Sequence, residues 1–130
     1  MPHLTIEYSD NLEDVVDMAA FCAAMRDAML ETGIFPLGGI RVRAFPCSTF
    51  VIADGDPAYA YLNMICKVGA GREEAVRAKA AEAIYAAAET FLKPRISDPF
   101  ALSLDMSELD SVTSLKRYNT LHDHLKSKVS

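Results

Sequence analysis

A chain of 130 residues can bury one hydrophobic core and is too short to suggest a second independent domain. With 51% apolar and 24% charged residues and no low-complexity stretch, its composition is that of an ordinary globular protein and argues against disorder. The net charge of -5, with no lysine or arginine run longer than two residues, argues against nucleic acid as a partner, because phosphate neutralisation needs a basic face.

Residues 3–8 alternate, with Leu4, Ile6 and Tyr8 facing one way and Thr5 and Glu7 the other, which is the period of a strand. The alternation starts directly behind Pro2, so the amino terminus is expected inside a sheet and not frayed. Ser9, Asp10 and Asn11 end the strand. Asp10 with Glu13 three residues on has the acidic form of a capping box, which predicts a helix beginning there. Val15, Met18, Ala19, Cys22, Met25, Ala28 and Met29 recur at helical spacing, and Gly33 terminates the pattern. A second strand is predicted over 40–45 and a third around 49–53, followed by the turn residues Asp54, Gly55, Asp56 and Pro57.

The pattern then repeats. A long strand over 58–68, a glycine turn at 69–71, an amphipathic helix over 72–92 stopped by Pro94, and an alternating strand over 99–106 complete it. Two successive strand, helix, strand units predict an α/β (α+β) fold: two β-α-β repeats, about 2–56 and 57–112, related by a pseudo-two-fold axis. They build one mixed sheet with both helices on one face, in a single domain that a C-terminal segment, 113–130, completes. The other sheet face is left uncovered, and self-association is the economical way to cover it. Within 114–126, Leu115, Tyr118, Leu121 and Leu125 fall at helical intervals, either as a local cap or as a helix that reaches a neighbouring subunit.

Chemistry centres on Pro2. Loss of Met1 would make it a secondary amine at the chain terminus, and an α-amino group titrates at roughly 8, or lower where burial and nearby cations disfavour its charge. A base poised near neutrality suits proton transfer. The bland alternative is that a small second residue merely permits methionine removal. Arg41 and Arg43 alternate with Ile40, Val42 and Ala44, so both guanidinium groups leave one strand face about 7 Å apart, at roughly 3.3 Å rise per residue. Their planar forks suit a substrate with two carboxylates, although a solvated strand face has the same spacing. Arg72 follows Gly69, Ala70 and Gly71 and is predicted to begin the second helix, where a terminus already favours anions. Glu74 stands where a dinucleotide fingerprint wants glycine, so the glycines read as turn formers.

Other chemistries find no support. His122 and His124 do not share a helix face and have no third ligand, so no metal is expected. Cys22, Cys47 and Cys66 are odd in number and far apart, and read as reduced small hydrophobes. There is no Gly-x-Ser-x-Gly elbow for nucleophilic hydrolysis. His3 lies beside Pro2, where it either tunes the amine or does nothing. No apolar run approaches the length of a membrane span and no secretory leader opens the chain, so a cytoplasmic protein is expected.

The chain resembles the 5-carboxymethyl-2-hydroxymuconate isomerases of the tautomerase superfamily. The resemblance rests on Met1-Pro2-His3-Leu4, on Glu7-Tyr8-Ser9-Asp10-Asn11, on Thr32-Gly33-Ile34-Phe35-Pro36-Leu37 leading to Gly39-Ile40-Arg41-Val42-Arg43, on Ala53-Asp54-Gly55 and on Gly69-Ala70-Gly71-Arg72. These blocks fall in order and span most of the chain. The resemblance implies that Pro2 is the acid-base catalyst, that Arg41 and Arg72, with Arg43 as a further candidate, bind a small polycarboxylate substrate, and that the protein is a homotrimer working without cofactor or metal. It implies ketonisation of a 2-hydroxymuconate dienol in homoprotocatechuate breakdown. Two other readings use the same residues: a tautomerase of another keto acid such as phenylpyruvate, which would need fewer cations, and a noncatalytic trimeric binding protein.

Overall fold

The alternation behind Pro2 forms the strand that organises the molecule. A computed structural model describes residues 1–97 and 99–129, and in it strand β1 (His3–Ser9) buries Leu4, Ile6 and Tyr8 and leaves Glu7 exposed. Strand β2 (Arg41–Cys47) lies parallel to β1 on one side, β3 (Ala60–Val68) antiparallel on the other, and β4 (Phe100–Glu108) parallel to β3, giving the order β2-β1-β3-β4. Parallel neighbours need a crossover, and each pair has one: α1 (Met18–Glu31) joins β1 to β2, and α2 (Glu74–Leu92) joins β3 to β4. The two-repeat mixed sheet expected from the sequence is therefore present.

Both helices place an i, i+4 row in the core. Phe21, Met25 and Met29 come from α1, and Ala80, Ile84, Ala88 and Leu92 from α2, packed over Leu4, Ile6, Leu62 and Met64 of the central strands. Phe21 and Phe91 meet at 5.3 Å between ring centroids and tie the helices together. The opposite sheet face is not covered by the chain's own helices and is mixed in character. Tyr61 Oη donates to Glu7 Oε1 at 2.9 Å and Ser103 Oγ to Asn63 Oδ1 at 2.6 Å, while Phe45 and Ile65 stay partly exposed.

Four expectations are corrected. Asp10 opens a 3-10 turn (Asp10–Asp14), not a helix, and Glu13 accepts from Tyr8 Oη at 2.9 Å in place of reaching back to a cap. Together with burial, that contact pushes the Tyr8 phenol up to about 12. The turn delivers Leu12 and Val16 to the core and leaves Val15 half exposed, and α1 then starts at Met18, capped by Asp17, whose carboxylate accepts from Ala20 N at 3.1 Å. Residues 49–53 form no strand: they do not return alongside the free edge of β2, Val51 is 85% exposed, and Ala53 turns the chain at φ 51°. Helix α2 begins at Glu74, so Arg72 precedes it. Finally, 114–120 is irregular, and α3 (Leu121–Val129) starts only after Asn119 Oδ1 accepts from Leu121 N at 2.9 Å. Leu115 and Tyr118 are exposed, and α3 packs against the chain's own 3-10 turn at Leu37–Gly39.

The two capping candidates are separable by stability. Asp17→Ala is expected to cost about 1 kcal/mol in urea denaturation, the usual value of a lost N-cap, and Asp10→Ala less than half as much.

Candidate active site

Pro2 is buried, and its carbonyl accepts from Arg41 N at 3.1 Å, so the parallel ladder in which His3 pairs with Arg41 begins one peptide earlier still. The neighbouring turn, Leu37–Gly39, closes over it. A methyl group on Gly39 would lie 3.3 Å from Pro2 Cδ and 3.8 Å from Met1 Cα, so the absence of a side chain lets the turn pass this close to the terminus.

On the other side stands Gly69. A methyl group there would lie 3.8 Å from Arg72 Nη1, 3.8 Å from Lys116 Nζ and 3.9 Å from the Met1 nitrogen, so all three nitrogens border one small space that glycine keeps open. Gly71 has the other role expected of glycine in this loop. Its φ of 111° belongs to the left-handed region, and its N–H donates to Glu108 Oε2 at 2.9 Å.

Arg72 is bent back from the start of α2 to donate to Ile34 O at 2.8 Å and Gly69 O at 3.3 Å, with its guanidinium 5.1 Å above the buried Phe35 ring. Arg41 donates to Gly38 O at 2.8 Å and to Ile40 O at 3.3 Å. Carbonyl groups therefore aim both guanidinium groups without neutralising them. Among the described residues no carboxylate forms an ion pair with Arg41, Arg72 or Lys116.

These cations act on the amine. Burial lowers the Met1 amine below its ordinary value first; Lys116 adds to this through its charge and as a donor that favours the neutral nitrogen, followed by Arg72 and Arg41. The nitrogen of Pro2 is the next along the chain. Arg43 is placed differently: it is exposed, and its Nη1 lies 3.2 Å from His3 Nδ1. Because a guanidinium only donates, Nδ1 is the acceptor and the imidazole proton belongs on Nε2. Burial, then Arg43, Arg41 and the terminal amine lower the His3 pKa.

The structure thus brings Pro2, Arg41 and Arg72 to one end of the sheet and sets Arg43 beside His3. Lys116 was not singled out by any motif: it lies among the helically spaced apolar residues of 114–126, outside the blocks that carry the resemblance. Phe35 was legible only as an aromatic inside a matched block. A separate groove of about 590 Å³ between α1 and α2 is lined by small side chains such as Ala28, Ala80 and Ala83 and holds none of the predicted site residues. No helix among the described residues is long and apolar enough to cross a membrane.

The model of one protein family, described as 5-carboxymethyl-2-hydroxymuconate isomerase, matches residues 2–125. The chain is 37% identical over 120 residues to a 5-carboxymethyl-2-hydroxymuconate Delta-isomerase of Escherichia coli, covering 92% of this chain and 95% of that protein. A crystal structure of a 5-carboxymethyl-2-hydroxymuconate delta-isomerase superimposes with a TM-score of 0.88 at 35% identity, over 96% of this chain and 93% of the other. The fold alone recurs in a fused 4-OT wild type symmetric trimer, at 20% identity and a TM-score of 0.61 over 83% of this chain and 85% of that one.

The His3 imidazole gives a direct test of the electrostatics. Replacing Arg43 by Gln removes a cation and should move the NMR titration midpoint of His3 upward, towards the ordinary imidazole value. A midpoint that stays put or falls would show that the guanidinium does not disfavour the charged ring.

Proposed function

Because the chain belongs to the 5-carboxymethyl-2-hydroxymuconate isomerase family, we propose that this isomerase ketonises 5-carboxymethyl-2-hydroxymuconate, with the Pro2 amine, freed by loss of Met1, as its acid-base catalyst. The observation that carries this reading is the meeting of a terminal amine with cations that have no carboxylate partners in the described chain.

The chemistry is a proton relay. Neutral Pro2 nitrogen takes the proton of the 2-hydroxyl; the O–H pair becomes the C2 carbonyl, the C2–C3 double bond moves to C3–C4, and the C4–C5 pair takes a proton at C5 from the prolyl ammonium. The amine ends as it began. Arg41 and Arg72 hold carboxylates and stabilise the charge that spreads over the intermediate dienolate. The same cations keep the free amine neutral, so one placement serves binding and basicity. Several cations suit a substrate with several carboxylates better than a mono-acid. A homotrimer is part of the reading: the fused 4-OT relative is described as a symmetric trimer, and the open sheet face with Phe45 and Ile65 supports a covered one here.

Steady-state assays following the dienol absorbance test the assignment. Pro2→Ala should lower kcat by about a hundredfold or more, the usual worth of a positioned base, and Arg41→Ala should chiefly raise KM, by roughly tenfold for one charge-assisted contact. Wild-type rates in both variants, or a mature chain whose intact mass retains Met1, overturn the role of Pro2. An inert dienol alongside turnover of phenylpyruvate would point to the simpler keto acids.

The burial and cations that lower the Met1 amine also act on the adjacent Pro2 nitrogen once Met1 is lost, and so set a pH dependence. A base must be neutral, so kcat/KM should rise with pH and level off below the ordinary α-amino value of roughly 8. Bound polycarboxylate offsets the cations and makes the amine more basic, so the acidic limb of kcat should lie at higher pH than that of kcat/KM.

A further inference from the structure

The C-terminal segment is anchored at both ends of an arc across the amine. It leaves β4 at Glu108, which accepts from Gly71 N at 2.9 Å, and Leu109 N donates to Val68 O at 2.7 Å. Beyond the irregular stretch, α3 docks on Leu37–Gly39, with the His122 ring so close that a methyl on Gly38 would lie 2.6 Å from its Nδ1. The first anchor is the loop that carries Arg72, and the second is the turn whose Gly38 carbonyl aims Arg41. Between them Lys116, itself exposed, places its Nζ on the same small space as Arg72 Nη1 and the Met1 nitrogen.

Positive groups gathered without a counter-charge raise the energy of the empty site. In a chain of net charge -5, carboxylates are plentiful, yet none of the described ones pairs with Lys116. That arrangement is relieved by an anionic ligand. We propose that Lys116 is a substrate-binding residue: the arc from Leu109 to α3 is one wall of the site, and its ammonium takes a carboxylate that Arg41 and Arg72 leave unheld, setting the preference for a polycarboxylate. The proposal rests on the site assignment made above. It adds to it a cation on the rim that can be removed without disturbing the sheet or the two guanidinium groups. It also gives Lys116 a second effect, because an ammonium that near favours the neutral amine.

The test compares the full-length wild type with Lys116→Met, which keeps the length of the stem, and Lys116→Arg, which keeps the charge. Two readouts are used. In assays with 5-carboxymethyl-2-hydroxymuconate and with 2-hydroxymuconate, which lacks the carboxymethyl arm, Lys116→Met should raise KM by about tenfold to a hundredfold for the larger substrate. The effect on the smaller one should be slight, and Lys116→Arg should restore most of the loss. The acidic limb of kcat/KM should shift to higher pH in Lys116→Met only. The second readout needs no turnover: propane-1,2,3-tricarboxylate binding by calorimetry should weaken in Lys116→Met by a similar factor. Unchanged tricarboxylate affinity and an unmoved acidic limb overturn the proposal. If wild type fails to ketonise either dienol, the reading of the reaction falls, and the calorimetric comparison still decides Lys116.

Discussion

The hydrogen bond from Arg41 N to the Pro2 carbonyl, 3.1 Å long, is the constraint on which the site depends. By itself such a bond contributes on the order of 1 kcal/mol. Its importance is positional, because it extends the β1–β2 ladder to the first peptide of the chain and holds there a terminus that would otherwise fray. A parallel ladder cannot be closed by a tight turn. It needs the α1 crossover, and the return from that crossover brings Leu37–Gly39 against Pro2 just before Arg41 enters β2. The residue that completes the ladder is thus also one whose charge lowers the terminal amine.

Charge is handled locally, against the balance of the whole chain. The protein is acidic, but around its first residues the arginines are aimed by main-chain oxygens of Gly38, Ile40, Ile34 and Gly69. A carbonyl fixes a guanidinium in place and leaves its full charge available, whereas a carboxylate would spend it. The Phe35 ring beneath Arg72 works the same way, stabilising the cation without cancelling it. Ordinary surface pairs such as Arg26 with Asp27 or Lys93 with Glu89 lie elsewhere.

The two halves resemble each other in backbone and differ in what they contribute. Arg41 opens the strand that ends the first repeat, whereas Arg72 precedes the helix of the second, so the two are not equivalent under the pseudo-two-fold. Gly39 and Gly69 mark the two approaches to the terminus, one from each half. The segment after β4 has no counterpart in the first repeat. It breaks the symmetry at the one end of the sheet where the amine lies.

Local periodicity was enough to recover β1, β3 and both long helices, because alternation and i, i+4 spacing are properties of adjacent residues, but for α1 it passed over the fully buried Phe21 and took in the exposed Val15 and Ala19. The arginines and Pro2 were legible for a related reason: their chemistry and the blocks around them are written in the chain. Which aspartate caps α1 was not, since Asp10 and Asp17 both offer a carboxylate, and the burial of Leu12 and Val16 decides between them. Nor was the fate of 49–53, whose extended pattern becomes a strand only where the chain path brings it alongside a sheet edge. Lys116 is the furthest case. No spacing relates it to Pro2, and it meets the amine only because the sheet order places the ends of β1 and β4, the Gly69 loop and the α3 dock around one point. Sequence alone determined the strands that pair, the two crossover helices and which side chains are suited to the chemistry. Tertiary structure decided which of those charges converge, because convergence depends on strand order and chain return, which are set by the packing of the whole core.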